Sequence, residues 1–235
     1  MIWFGKLPGI RIPEPAPREH PHRRMRQALE CVACNAPGLT GPALVEALAG
    51  TGWVDATTAE RLLPEFRHFD AEQHFAQNLR RLSFRGRSVE EEFRRAVARA
   101  MEDIAGPARS GSGDEHPELR FGDEEWQGTL LAFPEVRCSI GGRVRELIAA
   151  AAEEMPDSLV LLARNFDPDA HAQLKALLGR EIPGTLLTVN HLLGIRAMVL
   201  RYQPDPERVR SLLALGRPLR SADIARLGDR DMSLK

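Results

Sequence analysis

The chain predicts a mixed α/β fold, with a helical N-terminal module followed by a small, mainly parallel sheet of three to four strands and flanking helices. Three observations carry that expectation. Apolar side chains recur at helical spacing through residues 23–105. Beyond them come Leu- and Val-rich runs of strand length, Trp126-QGTLLAF, Ser158-LVLLA and Pro183-GTLLTV. Between the second and third runs lies one well-punctuated helix, Asp167-PDAHAQLKALLGR. A strand, a crossover helix and a return strand bury the strands on both faces, which places the unit at a domain centre.

Taken in order, residues 1–22 read as an extended arm. An apolar tag, Ile2-Trp3-Phe4, precedes Pro8, Pro13, Pro15, Pro17 and Pro21, and proline this dense opposes helix. The tag is expected to pack on its own domain or dock on a partner. Met25–Ala33 forms a helix that stops near Asn35-Ala36-Pro37-Gly38. Thr40–Ala49 and Thr57–Leu63 form two more, joined by Gly50-Thr51-Gly52-Trp53, with Thr57-Thr58-Ala59-Glu60 fitting a capping box. Asp70 caps a helix whose Phe75, Leu79 and Leu82 share one face. Ser88-Val89-Glu90-Glu91 fits a second capping box, ahead of an apolar stripe at Val89, Phe93, Val97, Met101 and Ile104.

Residues 106–125, small and acidic, read as a linker or loop, and residues 126–235 as the α/β domain. A helix through Ala152 follows the first strand, starting at Ser139 or Gly141. Ile195-RAMVLRY reads as a last strand, and Asn190–Gly194 as a tight, antiparallel connection to it. Asp205 with Pro206 starts a helix stopped by Gly216, and Ser221 opens a short one ending near Gly228.

Composition bounds the function. A net charge of −1 gives no global pull toward nucleic acid or acidic lipid. No run approaches the roughly 20 apolar residues of a membrane span, and no secretory signal is legible in Met1-IWFGKLPGIRIP. Three cysteines, an odd number, fit a reduced, cytoplasmic protein. Basic residues are almost all arginine, Lys6, Lys175 and Lys235 being the lysines, and with the many alanines this points to a GC-rich coding bias.

The acidic residues Asp167 and Asp169 cluster at the carboxyl end of a strand, where α/β proteins place their sites. Paired carboxylates there suit Mg²⁺. Thr129-LLAFPE, a helix, then Leu159-VLLARNFDPDA resembles the Toprim nucleotidyl-transfer and nuclease domain over roughly a third of the chain. The resemblance implies Glu135 as acid/base and Asp167 with Asp169 as metal ligands. The chain departs from that pattern at Arg164-Asn165-Phe166 and at Val136. Helix-start grammar explains the same residues without a metal: Asp167 as N-cap, Pro168 at the first helical position, Asp169 in the first turn, as recurs at Asp205-Pro206-Glu207.

Cys31 and Cys34 lie in the back half of a helix and lack the second pair a structural zinc site needs, so they read as buried small hydrophobes. Ser139-Ile-Gly-Gly142 lacks the spacing of a phosphate loop, and His191 reads as a turn residue. Arg80, Arg81, Arg85, Arg87, Arg94 and Arg95 offer a nucleic-acid surface, diluted by Glu90, Glu91 and Glu92.

Three functions follow. The favoured one is a non-catalytic adaptor in a bacterial assembly, binding another protein and no cofactor. The alternatives are a Mg²⁺-dependent nuclease or nucleotidyl-transfer module using Glu135, Asp167 and Asp169, and a DNA-binding regulator acting through helices 40–63 and 70–105.

Overall fold

A computed structural model describes residues 20–36, 38–84, 89–110 and 118–228. The chain forms two compact units, Met1–Asn78 and Leu79–Lys235. Among the described residues no helix is long and apolar enough to cross a membrane.

The first unit is helical. It comprises α1 (Pro21–Asn35), α2 (Gly41–Gly50), α3 (Ala56–Leu62), a 3₁₀ turn at Leu63–Phe66, and α4 (Ala71–Leu82), which runs on into the second unit. Pro21 sits in the first turn of α1, where its missing N–H costs nothing, so the helix takes in the end of the stretch expected to be extended arm. Residues 1–19 lie outside the described residues. The start of α3 also differs from expectation. Asp55, not Thr57, is the N-cap, and its Oδ1 accepts the Thr58 amide at 2.7 Å. Asp70 does cap α4, accepting the Gln73 amide at 3.0 Å. Met25, Leu29, Val32, Leu48, Trp53, Val54 and Leu62 make the core of this unit.

The second unit is a sheet between helices. Its elements are α5 (Glu90–Ala105), β1 (Ala108–Ser110), β2 (Glu118–Gly122), β3 (Gln127–Ala132), α6 (Gly142–Glu153), β4 (Ser158–Ala163), α7 (Ala170–Leu178), β5 (Gly184–Thr188), α8 (Val189–Tyr202), α9 (Pro206–Leu213) and α10 (Ser221–Ala225). Five strands lie in the order β1-β2-β3-β4-β5, with β1–β2–β3 antiparallel and β3–β4–β5 parallel. Val89, rather than Ser88, stands as the N-cap of α5 and supplies no side-chain cap; Ser88 lies outside the described residues.

Two expectations fail here. The stretch 106–125 is not simply a linker, since it contributes β1 and β2. In Glu118-Leu-Arg-Phe121, Leu119 and Phe121 alternate inward and are buried, while Arg120 stays exposed, which is the period of a half-buried strand. Asp123 then turns the chain, its Oδ1 accepting the amides of Glu125 and Trp126 at 3.0 and 3.1 Å. Phe121 lies opposite Gly128 on β3, where a Cβ would meet the ring at 2.4 Å, so only glycine accommodates it.

The second failure is α8. Ile195–Tyr202 is helical, not a strand, and Asn190–Gly194 is its first turns rather than a connection. Val189, Leu192, Leu193, Ile195 and Arg196 are buried at helical spacing, and Thr188 Oγ1 caps the helix by accepting the His191 amide at 3.2 Å. Buried Arg196 donates from Nε to Asp103 Oδ2 of α5 at 2.8 Å.

Every residue of β4 is buried, as its Leu/Val run requires. Leu159, Leu161 and Ala163 share a core with Ile148 and Ala151 of α6 and Leu174 and Leu178 of α7. Val160 and Leu162 point the other way and are equally buried. That second face is left to α5 and α8, which pack on each other. Each fully buried Leu contributes on the order of 2 kcal/mol, so β4 anchors the unit from both sides.

Candidate functional site

Three places in the molecule carry chemistry or unfinished burial: the carboxylates after β3 and β4, the start of α8, and a groove in the helical unit.

Glu135 follows β3, and Asp167 and Asp169 follow β4. The β-bridge between Cys138 and Phe166 ties the two segments together, with the Cys138 amide donating to Asn165 O at 2.9 Å and the Asp167 amide to Cys138 O at 3.1 Å. Burial pushes the Cys138 thiol up to about 12, and the charges of Glu135 and Asp167 add to it. A thiol so raised stays protonated and is a poor nucleophile. Asp167 is held by Arg137, whose Nε lies 2.6 Å from its Oδ1. Asp169 accepts from the Gln173 side chain. The N-cap of α7 is Asp169, two residues later than expected, and its side chain makes no capping bond. Glu135 lines a small hollow with Phe133, Pro134, Arg143, Val144 and Leu147. Among the described residues no three His, Cys, Asp or Glu side chains come together as a group able to hold a metal ion.

Cys31 and Cys34 are half-buried on α1, and burial raises the Cys31 thiol. His22, in the same unit, hydrogen-bonds Glu65 at 2.6 Å. Of the arginines proposed for nucleic acid, Arg80 donates to Asn190 Oδ1 at 3.0 Å and Arg95 pairs with Glu91 at 3.2 Å. Arg81 and Arg94 are also engaged by partners. Arg85 and Arg87 lie outside the described residues.

The start of α8 is a place that sequence reasoning missed. The helix after β4 packs on one face of the sheet, and the helix after β5 on the other. Asn190, in the first turn of α8, accepts from Arg80 at 3.0 Å, and Arg164, just after β4, lies over the Phe84 ring at 3.0 Å. Burial lowers the His191 imidazole, partly opposed by the charge of Asp223. The available signal was Thr188 followed by Val189, Leu192, Leu193 and Arg196, a cap and a 3.6-residue stripe.

The groove belongs to the helical unit. Leu29 and Val32 of α1 form its floor, and half-buried Leu39, Leu44, Leu63, Phe66 and Phe69 form its walls. Phe69 is stacked on His74, ring centroids 4.4 Å apart, which fixes one wall. The rim is polar, with exposed Arg67, His68 and Asp70. A concave surface of aliphatic and aromatic side chains with a charged rim suits an apolar ligand segment. No motif announced it, because its walls come from α1, α2, the 3₁₀ turn and the loops around them.

No family model matches the chain, and no curated protein or solved structure matches it at a significant level.

Proposed function

We propose that the protein is a non-catalytic adaptor, an accessory subunit of a cytoplasmic, bacterial multiprotein assembly, which binds another protein through the groove of its helical unit. The groove is the observation that carries this reading. Leu39, Leu44, Leu63, Phe66 and Phe69 are half-buried around a buried floor, and the ligand they suit is an aromatic-anchored apolar segment lying in a helix-walled cleft. The same reading is supported by Asp167 pairing with Arg137, Asp169 accepting from Gln173, and burial holding the Cys138 thiol protonated.

The test is site-specific photocrosslinking in the native cell, with p-benzoylphenylalanine replacing rim residue Arg67. The expected result is a discrete protein adduct that Leu44→Glu abolishes, while the same crosslinker at exposed Arg180, in the other unit, gives none. Adducts that survive Leu44→Glu, or none at all, overturn the reading.

A further inference from the structure

We infer that the groove is filled in the free protein by the chain's own Ile2-Trp3-Phe4, so that a partner must displace this tag. The inference deepens the adaptor reading by adding its regulation, and it rests on that reading only for the word partner. Three observations lead to it.

The first is chemistry. The groove offers Leu29, Val32, Leu39, Leu44, Leu63, Phe66 and Phe69 to an apolar ligand. Ile2-Trp3-Phe4 is an apolar run with two adjacent aromatics, followed by Gly5 and Lys6. Aromatic anchors in apolar pockets are what such clefts bind best.

The second is length. The described chain begins at His20, the N-cap of α1, and the groove floor lies at Leu29 and Val32 on the same helix. At 1.5 Å per residue, His20 and Val32 are about 18 Å apart along the helix. The residues between Phe4 and His20, rich in proline, span about 50 Å if extended. The tag therefore reaches the groove with chain to spare, whichever way it enters.

The third is the tether. A segment joined by a short linker acts at an effective concentration of about 1 mM. A tag with an intrinsic dissociation constant of about 0.1 mM would fill the groove about nine-tenths of the time, and would weaken a competing ligand about tenfold. Proline in the linker limits the freedom lost on docking. Weak apolar contact is enough.

The experiment uses the full chain labelled with 5-fluorotryptophan and followed by ¹⁹F NMR. Three resonances arise, from Trp3, Trp53 and Trp126, and Trp3→Phe assigns the first. The expected result is a Trp3 resonance with little solvent-isotope shift in D₂O, which moves to the exposed position in Leu44→Glu. Trp53 is buried in the same unit's core, and Trp126 packs edge-on to Phe121 in the other unit, so their unmoved resonances report that the variant is folded. Phe4→Ser, a change in the tag itself, should release Trp3 in the same way without touching the groove.

A wild-type Trp3 fully exposed to solvent overturns the inference. So does a protected Trp3 that ignores Leu44→Glu, since it then docks elsewhere. Protection that fades on dilution assigns the tag to a second copy of the chain, and overturns docking in cis. The readout needs no partner, so its outcome is separable from the crosslinking result: an Arg67 adduct with an exposed Trp3 leaves the adaptor and removes the tag. A buried Trp3 with no adduct does the reverse.

Discussion

The two units finish the burial of their apolar side chains to different degrees. In the α/β unit β4 is buried along its whole length, with Leu159, Leu161 and Ala163 closed over by α6 and α7. In the helical unit the core at Met25, Leu29 and Leu48 is equally dry, but Leu39, Leu44, Leu63, Phe66 and Phe69 around it remain half-buried. The buried strand offers no apolar surface, and the large apolar side chains this unit does expose, Phe84, Val136, Met155, Leu200 and Tyr202, lie outside its strands. In the helical unit the half-buried side chains instead line one groove, the binding surface proposed above.

The comparison is broken most directly by truncating one leucine in each region. Leu161→Ala removes a fully buried side chain and should destabilise the protein by about 3 kcal/mol in urea unfolding. Leu44→Ala, half exposed to the groove, should cost about 1 kcal/mol or less. Equal costs would mean that Leu44 is core and the groove is closed.

Next in size is the pair joining α5 and α8. Asp103→Ala leaves the Arg196 guanidinium, whose side chain is 5% exposed, without the carboxylate 2.8 Å away. A loss of about 2 to 3 kcal/mol is expected, with Asp103→Asn recovering part of it. A loss within experimental error would show that the second face of the sheet is held by apolar packing alone.

A smaller effect follows from Asp223. The Arg217 guanidinium, donating at 2.7 and 2.8 Å, holds this carboxyl down at about 2. A lowered carboxyl stabilises the fold fully above its unfolded value, near about 3.9. That contribution is lost as pH falls toward about 2. Asp223→Asn should therefore flatten the acid limb of a Tm-against-pH curve between about pH 4 and pH 2, leaving its slope at neutral pH unchanged.

The smallest perturbation sharpens the contrast between the thiols. Cys138 is fully buried with its thiol at about 12, whereas Cys31 and Cys34 are half-buried. Iodoacetamide at pH 8 followed by mass spectrometry should label Cys34 and Cys31 and leave Cys138 unmodified until denaturant is added.

What the sequence made legible was the part governed by local pattern. Ser158–Ala163 is a strand as read, because an unbroken Leu/Val run bounded by Asp157 and Asn165 has one economical home in a parallel sheet. The Asp70 and Asp205 caps stand as read, because capping needs only residues within one turn. Illegible was whatever depends on a distant partner. Ile195–Tyr202 taken alone has the length and composition of a strand, its helical period shows only when read on from the Thr188 cap through Val189, Leu192 and Leu193, and the Asp103 that meets its buried Arg196 lies 93 residues away. Glu118–Gly122 was hidden because Glu118 and Arg120 read as linker charge, although they only mark the outward side of a strand. For the carboxylates the spacing was visible but the neighbours were not: Arg137 occupies Asp167, and this ion pair is invisible to any rule about helix starts. The groove had no linear signature, since its lining is gathered from residues 29 to 72.

The order of strands across the sheet has a consequence for how the protein is made. Each strand's neighbour in space is its neighbour along the chain, from β1 to β5. As synthesis proceeds, each strand joins an open edge left by the one before it, and none has to be inserted between two that are already paired. Loop closure at each step involves only the intervening helix or turn. The temporary edge is always the newest strand, and for β5 it is closed by the chain that follows, where the Leu219 amide donates to Leu186 O at 3.0 Å. A chain cut before residue 219 would therefore leave the Leu186 carbonyl on the β5 edge without this donor, so that the sheet would be more open to a second copy along that margin.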